Sequence, residues 1–254
     1  MFDWLLALAL AGGVSATAWR LGALRFSGVV AGTLVGAVVL GFAGLGAAAV
    51  LVLFFVTASA LSRLPPAGER SARNARQVLA NGSVAAVAAA LSGIGGSLAL
   101  TAFLGAVAAA TADTWATEIG VRWGRRPRSL LTLQPQPPGT SGAVSLAGTG
   151  AALIGALAVG LAGHGWVAGI DGHAGLAVAL AGFGGSLVDS LLGAGPQAEY
   201  RCGRCGASPQ VASHEGCPVA AERIAGVPGL DNDAVNWIAT GVGASLALLL
   251  SRLL

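Results

Sequence analysis

Apolar runs broken by short polar stretches recur along the whole 254-residue chain. They predict eight helical spans, over residues 2–18, 27–43, 46–62, 77–92, 96–119, 142–163, 174–194 and 231–251. A helix needs roughly 20 apolar residues to cross a bilayer, and most of these runs approach that length. The fourth is short, which fits a segment that is tilted, partly re-entrant or buried within a bundle. The pattern predicts an all-α fold: a polytopic transmembrane helical bundle of about eight spans. Residues 1–254 would form a single integral membrane domain, with 195–229 as a loop outside the bilayer.

The connections between runs divide by charge. Arg20 and Arg25 follow the first span, and Arg63, Arg70, Arg73 and Arg76 follow the third. Arg122, Arg125, Arg126 and Arg128 follow the fifth, and Arg201, Arg204 and Arg223 follow the seventh. The alternate connections, near 44–45, 93–95 and 164–173, carry no arginine, and only Arg252 breaks the division. Positive residues stay on the cytoplasmic side. The chain is therefore expected in the plasma membrane, with the Arg-rich side in the cytoplasm and both termini outside. Met1-Phe2-Asp3-Trp4 lacks the basic start of a cleavable leader, so the first run is expected to be kept as a span. Trp4 and Trp19 flank it as interfacial anchors.

Composition narrows the class further. The chain is 55% hydrophobic, 10% charged and holds 40 glycines, against roughly 25% charged in a soluble domain. That excludes a disordered chain, a disulfide-rich mini-protein and an ordinary soluble enzyme. The net charge of +3 is modest, and nothing suggests nucleic acid as a partner. All basic residues are arginines, which excludes any mechanism that needs a lysine, a Walker-type phosphate loop included. Gly28, Gly32 and Gly36 have the small-xxx-small spacing that lets helix backbones approach closely.

The acidic residues share the Arg-rich side. Asp113 and Glu118 lie toward that end of the fifth span, Asp189 toward that end of the seventh, and Asp231 and Asp233 open the eighth. Ionisable groups within spans are costly and face a cavity or a partner. Clustered carboxylates repel unless protons or a cation neutralise them, and all-oxygen donors favour a hard ion, Mg²⁺ first. With arginines nearby to grip phosphate oxygens, the set points to phosphoryl transfer. That chemistry rests on positioning and charge neutralisation. Gly139-Thr140-Ser141-Gly142-Ala143-Val144-Ser145 is expected to open the sixth span. There Thr140, Ser141 and helix-start amides would cradle phosphate.

The three cysteines fall in one loop, as Cys202-Gly-Arg-Cys205 and then His214-Glu-Gly-Cys217. An odd count argues against a disulfide framework. Four sulfur and nitrogen donors at this spacing make Cys202, Cys205, His214 and Cys217 a candidate structural Zn²⁺ clamp. His164 and His173 lie on the opposite side and read as solvated.

Five blocks carry a family resemblance. They are Gln77-Val-Leu-Ala-Asn81-Gly82, Thr111-Ala-Asp113-Thr-Trp115-Ala-Thr-Glu118-Ile-Gly120, Gly139-Thr-Ser-Gly142-Ala-Val-Ser145, Gly182-Phe-Gly-Gly-Ser186-Leu-Val-Asp189-Ser190 and Asp231-Asn-Asp233-Ala-Val-Asn236. With them the chain resembles the membrane family that includes plant phytyl-phosphate kinase and vertebrate transmembrane protein 19. The resemblance implies a CTP-dependent kinase that converts an isoprenoid monophosphate, such as phytyl or geranylgeranyl phosphate, to its diphosphate. In that reading Asp113, Asp189 and Asp233 carry Mg²⁺, with Glu118 and Asp231 assisting. Gln77, Asn81, Thr140, Ser141 and Asn236 position the substrates, and Arg76, Arg122 and Arg125 neutralise donor charge. The chain departs from the family at Gln134 and Gln136, where relatives often carry a basic residue. A transporter or channel for ions or small anions, and a non-catalytic lipid-phosphate binder, are the competing readings of the same acids.

Overall fold

The computed structural model describes residues 3–64, 72–207 and 217–254. Its helices, in chain order, are α1 (Trp4–Arg20), α2 (Phe26–Val38), α3 (Gly44–Leu61), α4 (Ala75–Ala90), α5 (Ser92–Trp123), α6 (Leu146–Trp166), α7 (Gly172–Ala194) and α8 (Asn232–Leu250). A π-helical turn, Val39–Ala43, extends α2. Two small antiparallel pairs complete the described fold: β1 (Arg128–Ser129) with β2 (Ala143–Val144), and β3 (Glu199–Arg201) with β4 (Glu222–Ala225).

Local chemistry sets the helix starts. Side-chain oxygens of Asp3, Ser145, Asp171 and Asp231 accept backbone N–H groups in the first turns of α1, α6, α7 and α8. Each satisfies one of the donors that a helix start leaves unpaired. Asn74 and Gln77 form a reciprocal capping box at the head of α4.

By length and composition, five helical segments can cross a membrane: Phe26–Leu61, Ser92–Trp123, Leu146–Trp166, Gly172–Ala194 and Asn232–Leu250. The expected count of eight spans is thus met only in part, since α1 has 17 residues and α4 has 16. The first of the five segments is a hairpin. A straight helix would separate Gly28 from Ser59 by roughly 46 Å at 1.5 Å per residue. Both instead meet Arg73: Gly28 packs against its carbonyl, and Ser59 Oγ accepts from its guanidinium at 3.0 Å. The reversal falls at Gly44, whose φ of +80° suits a residue without a Cβ. Trp4 packs edge-on against Phe42 beside this turn, with ring centres 5.0 Å apart.

Contacts group the helix ends in two sets. Arg63 donates to the Leu21 carbonyl at 2.7 Å, and Arg25 and Arg73 exchange backbone bonds with the segments opposite them. Arg76 reaches the head of α8. These contacts gather one end of the bundle, the Arg-rich end. Ser92 bonds the Phe42 carbonyl at the other end, where Gly46 abuts Trp166.

Helix α5 is the axis of the bundle, and its residues from Thr101 to Ala112 are all buried. Small residues set the spacing around it. A side chain at Gly182 would strike Ala108, one at Gly185 would strike Ala109 and the Ala239 carbonyl, and one at Gly105 would strike Gly243 and Ala247. Close backbone approach of this kind is how helices associate in lipid. Gly32 and Gly36 likewise pack on Ser15 and Ala11 of α1. Large apolar side chains such as Leu5, Ile94 and Leu161 point outward, as lipid-facing positions require.

Candidate functional site

A polar pocket of about 610 Å³ opens at the Arg-rich end of the bundle. Its walls are Asp113 and Thr117 from α5, the 136–145 stretch, Gly148 and Thr149 from α6, Ser186, Asp189 and Ser190 from α7, the 197–201 stretch, and Asn232 at the head of α8. Asp113 and Asp189 are brought together here, their carboxyl groups close enough to interact with each other. Asp189 Oδ2 is shielded from solvent and receives no hydrogen bond, and the same holds for Gln197 Oε1. Among the described residues these two are the side-chain oxygens buried in that way, and both residues line this pocket. Oxygens so placed normally carry a partner, because an unpaired buried acceptor costs about 1–3 kcal/mol. Carboxylate and amide oxygens, on two residues that line one pocket, are the hard donors that a Mg²⁺-type cation takes.

The Gly139–Ser145 stretch reaches the pocket differently from the sequence expectation. It does not open α6, which begins at Leu146 with Ser145 as its cap. Instead Gly139 and Gly142 adopt φ of +84° and +70°, and Ala143–Val144 pairs with Arg128–Ser129. The run of positive-φ glycines turns the chain before the helix can start. Gly142 also sits where any Cβ would meet the backbone of Ala194, so the loop closes directly on the end of α7. Thr140 and Ser141 line the pocket as part of this loop.

The other expected site residues lie elsewhere. Glu118 is five positions beyond Asp113, about 140° further round the helix. It faces α3, where it accepts from Ser62 and pairs with Arg122 at 2.5 Å. Arg122 also donates twice to the Leu64 carbonyl, at 3.0 and 2.8 Å. Arg73 completes this cluster through Ser59 and Ser62; burial lowers its guanidinium from the ordinary value, against the opposing charge of Glu118. Asp231 and Asp233 do not join the Asp113–Asp189 pair. Arg76 draws both to itself, at 2.5 Å from Asp231 and 3.2 Å from Asp233, while Asp231 also caps α8. Gln77 and Asn81 line a separate, mostly apolar cavity of about 400 Å³ among α1 to α5, together with Arg73 and Thr114. Arg125 is exposed and Asn236 half-buried, and neither lines the polar pocket.

The pocket also holds residues that sequence reasoning passed over. Gln197, Tyr200 and Arg201 enter from the loop after α7, and Asn232 from the turn into α8. The fold brings them there by tying the loop to the helix ends it joins, with Gln197 N–H on the Leu192 carbonyl and Ala198 N–H on the Leu230 carbonyl.

Cys202, Cys205 and Cys217 converge, with their sulfurs all within 4.8 Å of one another. Among the described residues they are the one set of three or more metal-type donors that gathers so closely. His214 lies outside the described residues. The Cys202 thiol is pushed down to about 6, first by the backbone N–H of Cys205.

Residues 9–244 match the family described as integral membrane protein DUF92. Protein PGR of Arabidopsis thaliana is 34% identical over 251 residues, which cover 85% of this chain and 84% of the plant protein. An uncharacterised membrane protein of Methanocaldococcus jannaschii is 32% identical over 177 residues, 66% of this chain and 72% of its own. One from Synechocystis is 31% identical over 137 residues, 54% of this chain and 42% of its own. No solved structure shows a significant match. The chain belongs to the DUF92 family of integral membrane proteins.

Proposed function

We propose that this DUF92 membrane protein is a kinase that moves the terminal phosphoryl group of CTP onto an isoprenoid monophosphate, such as phytyl or geranylgeranyl phosphate. The observation that carries the reading is the lining of the polar pocket, which contains the neighbouring Asp113 and Asp189 together with two residues, Asp189 and Gln197, whose buried Oδ2 and Oε1 have no partner. These donors suit Mg²⁺, which when bound would neutralise phosphate charge and orient the phosphates for transfer. Asp113 and Asp189, with Gln197, are the residues we assign to hold it.

In the reaction a terminal oxygen of the lipid monophosphate attacks the γ-phosphorus of the nucleotide. A new P–O bond forms, the bond between the β–γ bridging oxygen and the γ-phosphorus breaks, and the diphosphate and CDP leave. The attacking oxygen is already anionic, so no side chain need remove a proton. Thr140, Ser141 and the amides of their loop would hold donor phosphates, and Arg201, which lines the same pocket, would neutralise charge. The inner wall, with Ala152 and Phe183, is apolar and suits the start of the isoprenoid chain. CTP as donor comes from the family resemblance alone.

The Arg-rich end supports a cytoplasmic site with both termini outside the plasma membrane. A transporter would need a polar path beyond the acids. Deeper along α5, Ala102 to Ala110 is buried and apolar, which favours a one-sided pocket. The test is turnover by purified protein of geranylgeranyl phosphate with labelled CTP and Mg²⁺. Label in geranylgeranyl diphosphate is the expected result; no transfer from either CTP or ATP, with nucleotide-independent ion flux in proteoliposomes, would replace the kinase with the transporter.

A further inference from the structure

The phosphoryl-transfer reading makes no use of the three cysteines, yet their arrangement is specific. No disulfide joins them. Cys202 Sγ lies 3.7 Å from Cys217 Sγ, too far for a bond between sulfurs. It is close to the edge of a thiolate tetrahedron around zinc, about 3.8 Å for a Zn–S distance near 2.3 Å. Cys202 directly follows β3, and its carbonyl accepts from Gly206 N–H at 2.9 Å, closing a tight turn through Cys205. Backbone N–H groups of Arg204 and Cys205 point at Cys202 Sγ. Cys217 arrives from the other side of the loop, just ahead of β4, which pairs with β3. The two arms of the loop are thus joined through the β3–β4 pair, through backbone bonds such as Ala198 N–H to the Leu230 carbonyl, and through these sulfurs.

We propose that Cys202, Cys205 and Cys217 bind a structural Zn²⁺ that fastens the loop between α7 and α8. Soft thiolates gathered around one point select such an ion over the hard cation assigned to the acids. The consequence reaches the pocket, because Gln197, Tyr200 and Arg201 line it from the strand that ends at Cys202. The proposal does not depend on the kinase reading, since its test reads metal directly.

The experiment uses the full chain, purified in detergent under reducing conditions from zinc-supplemented cells. Mass spectrometry of the metal should find zinc near one equivalent per chain, and Cys202→Ser and Cys217→Ser should lower it at least about tenfold. Because a misfolded variant would lose metal as well, wild-type protein stripped of zinc and loaded with Co²⁺ provides the second measurement. Thiolate-to-cobalt charge-transfer absorption and tetrahedral d–d bands, both abolished by added zinc, are expected. Wild-type protein without zinc and without the cobalt signature, an iron centre in its place, or a Cys202–Cys217 disulfide would each overturn the assignment.

Discussion

Asp113 and Asp189, on helices that are not consecutive in the chain, place their carboxyl groups side by side in one polar pocket. The approach is possible because α7 presents glycines to α5: Gly182 and Gly185 let the two backbones close on Ala108 and Ala109. Packing and chemistry are therefore linked. The same small residues that hold the bundle together set the separation of the acids.

Gly142→Ala is expected to damage the pocket roof. Its φ of +70° and its position against the Ala194 backbone leave no room for a methyl group. The cost should be about 1–3 kcal/mol or more, seen as a lower melting midpoint in detergent together with lost turnover. Full stability and full turnover in the variant would contradict the loop's placement.

Glu118→Gln separates the two acids of α5 by role. Glu118 serves the Ser62–Arg122 cluster and not the pocket. The variant should lose about 1–3 kcal/mol of stability while turnover per folded molecule stays within about threefold of wild type, less than one hydrogen bond's worth. Asp113→Asn should show the opposite pattern, with stability kept and turnover lost.

Arg76→Ala removes the cation that holds both Asp231 and Asp233. Because Arg76 is itself more than half exposed, solvent weakens the pair, and a loss of about 1–2 kcal/mol is expected. Arg76→Lys should recover part of it. Thermal melts of the three proteins check the order.

Cys202 gives a pH signature in metal-free protein. Its thiol is held down to about 6, first by the Cys205 N–H, below the ordinary value near 8.5. A lowered acid stabilises the fold above the unfolded value, and that contribution is lost as pH falls through 6. The thiolate absorbance that differs between wild type and Cys202→Ser should therefore titrate near pH 6. A midpoint above 8 would show that the turn does not support the anion.

The helices were legible in the sequence because apolar runs broken by capping residues leave few alternatives, and Asp3, Asn74, Ser145, Asp171 and Asp231 cap as their types suggest. Asp113 and Asp189 stood out because acids inside apolar segments are costly. Glu118 could have been separated from them by the angle of five helical residues. The capture of Asp231 and Asp233 by Arg76 was not legible, since charge patterns along a chain do not say which arginine is nearest in space. Gln197 and Arg201 were missed because their loop has no periodicity to place it. The Gly139–Ser145 stretch looked like a helix start, but two left-handed glycines and a strand pairing delay the helix to Leu146.

The central claim is that Asp113 and Asp189 jointly hold a divalent ion. Electron paramagnetic resonance of Mn²⁺, titrated into purified protein in place of Mg²⁺, reads that binding without any need for turnover. Wild-type protein should take up the ion at one site, Asp113→Asn and Asp189→Asn should each weaken it at least about tenfold, and Asp233→Asn should leave it nearly unchanged. Equal Mn²⁺ affinity in wild type and both pair variants would contradict the account.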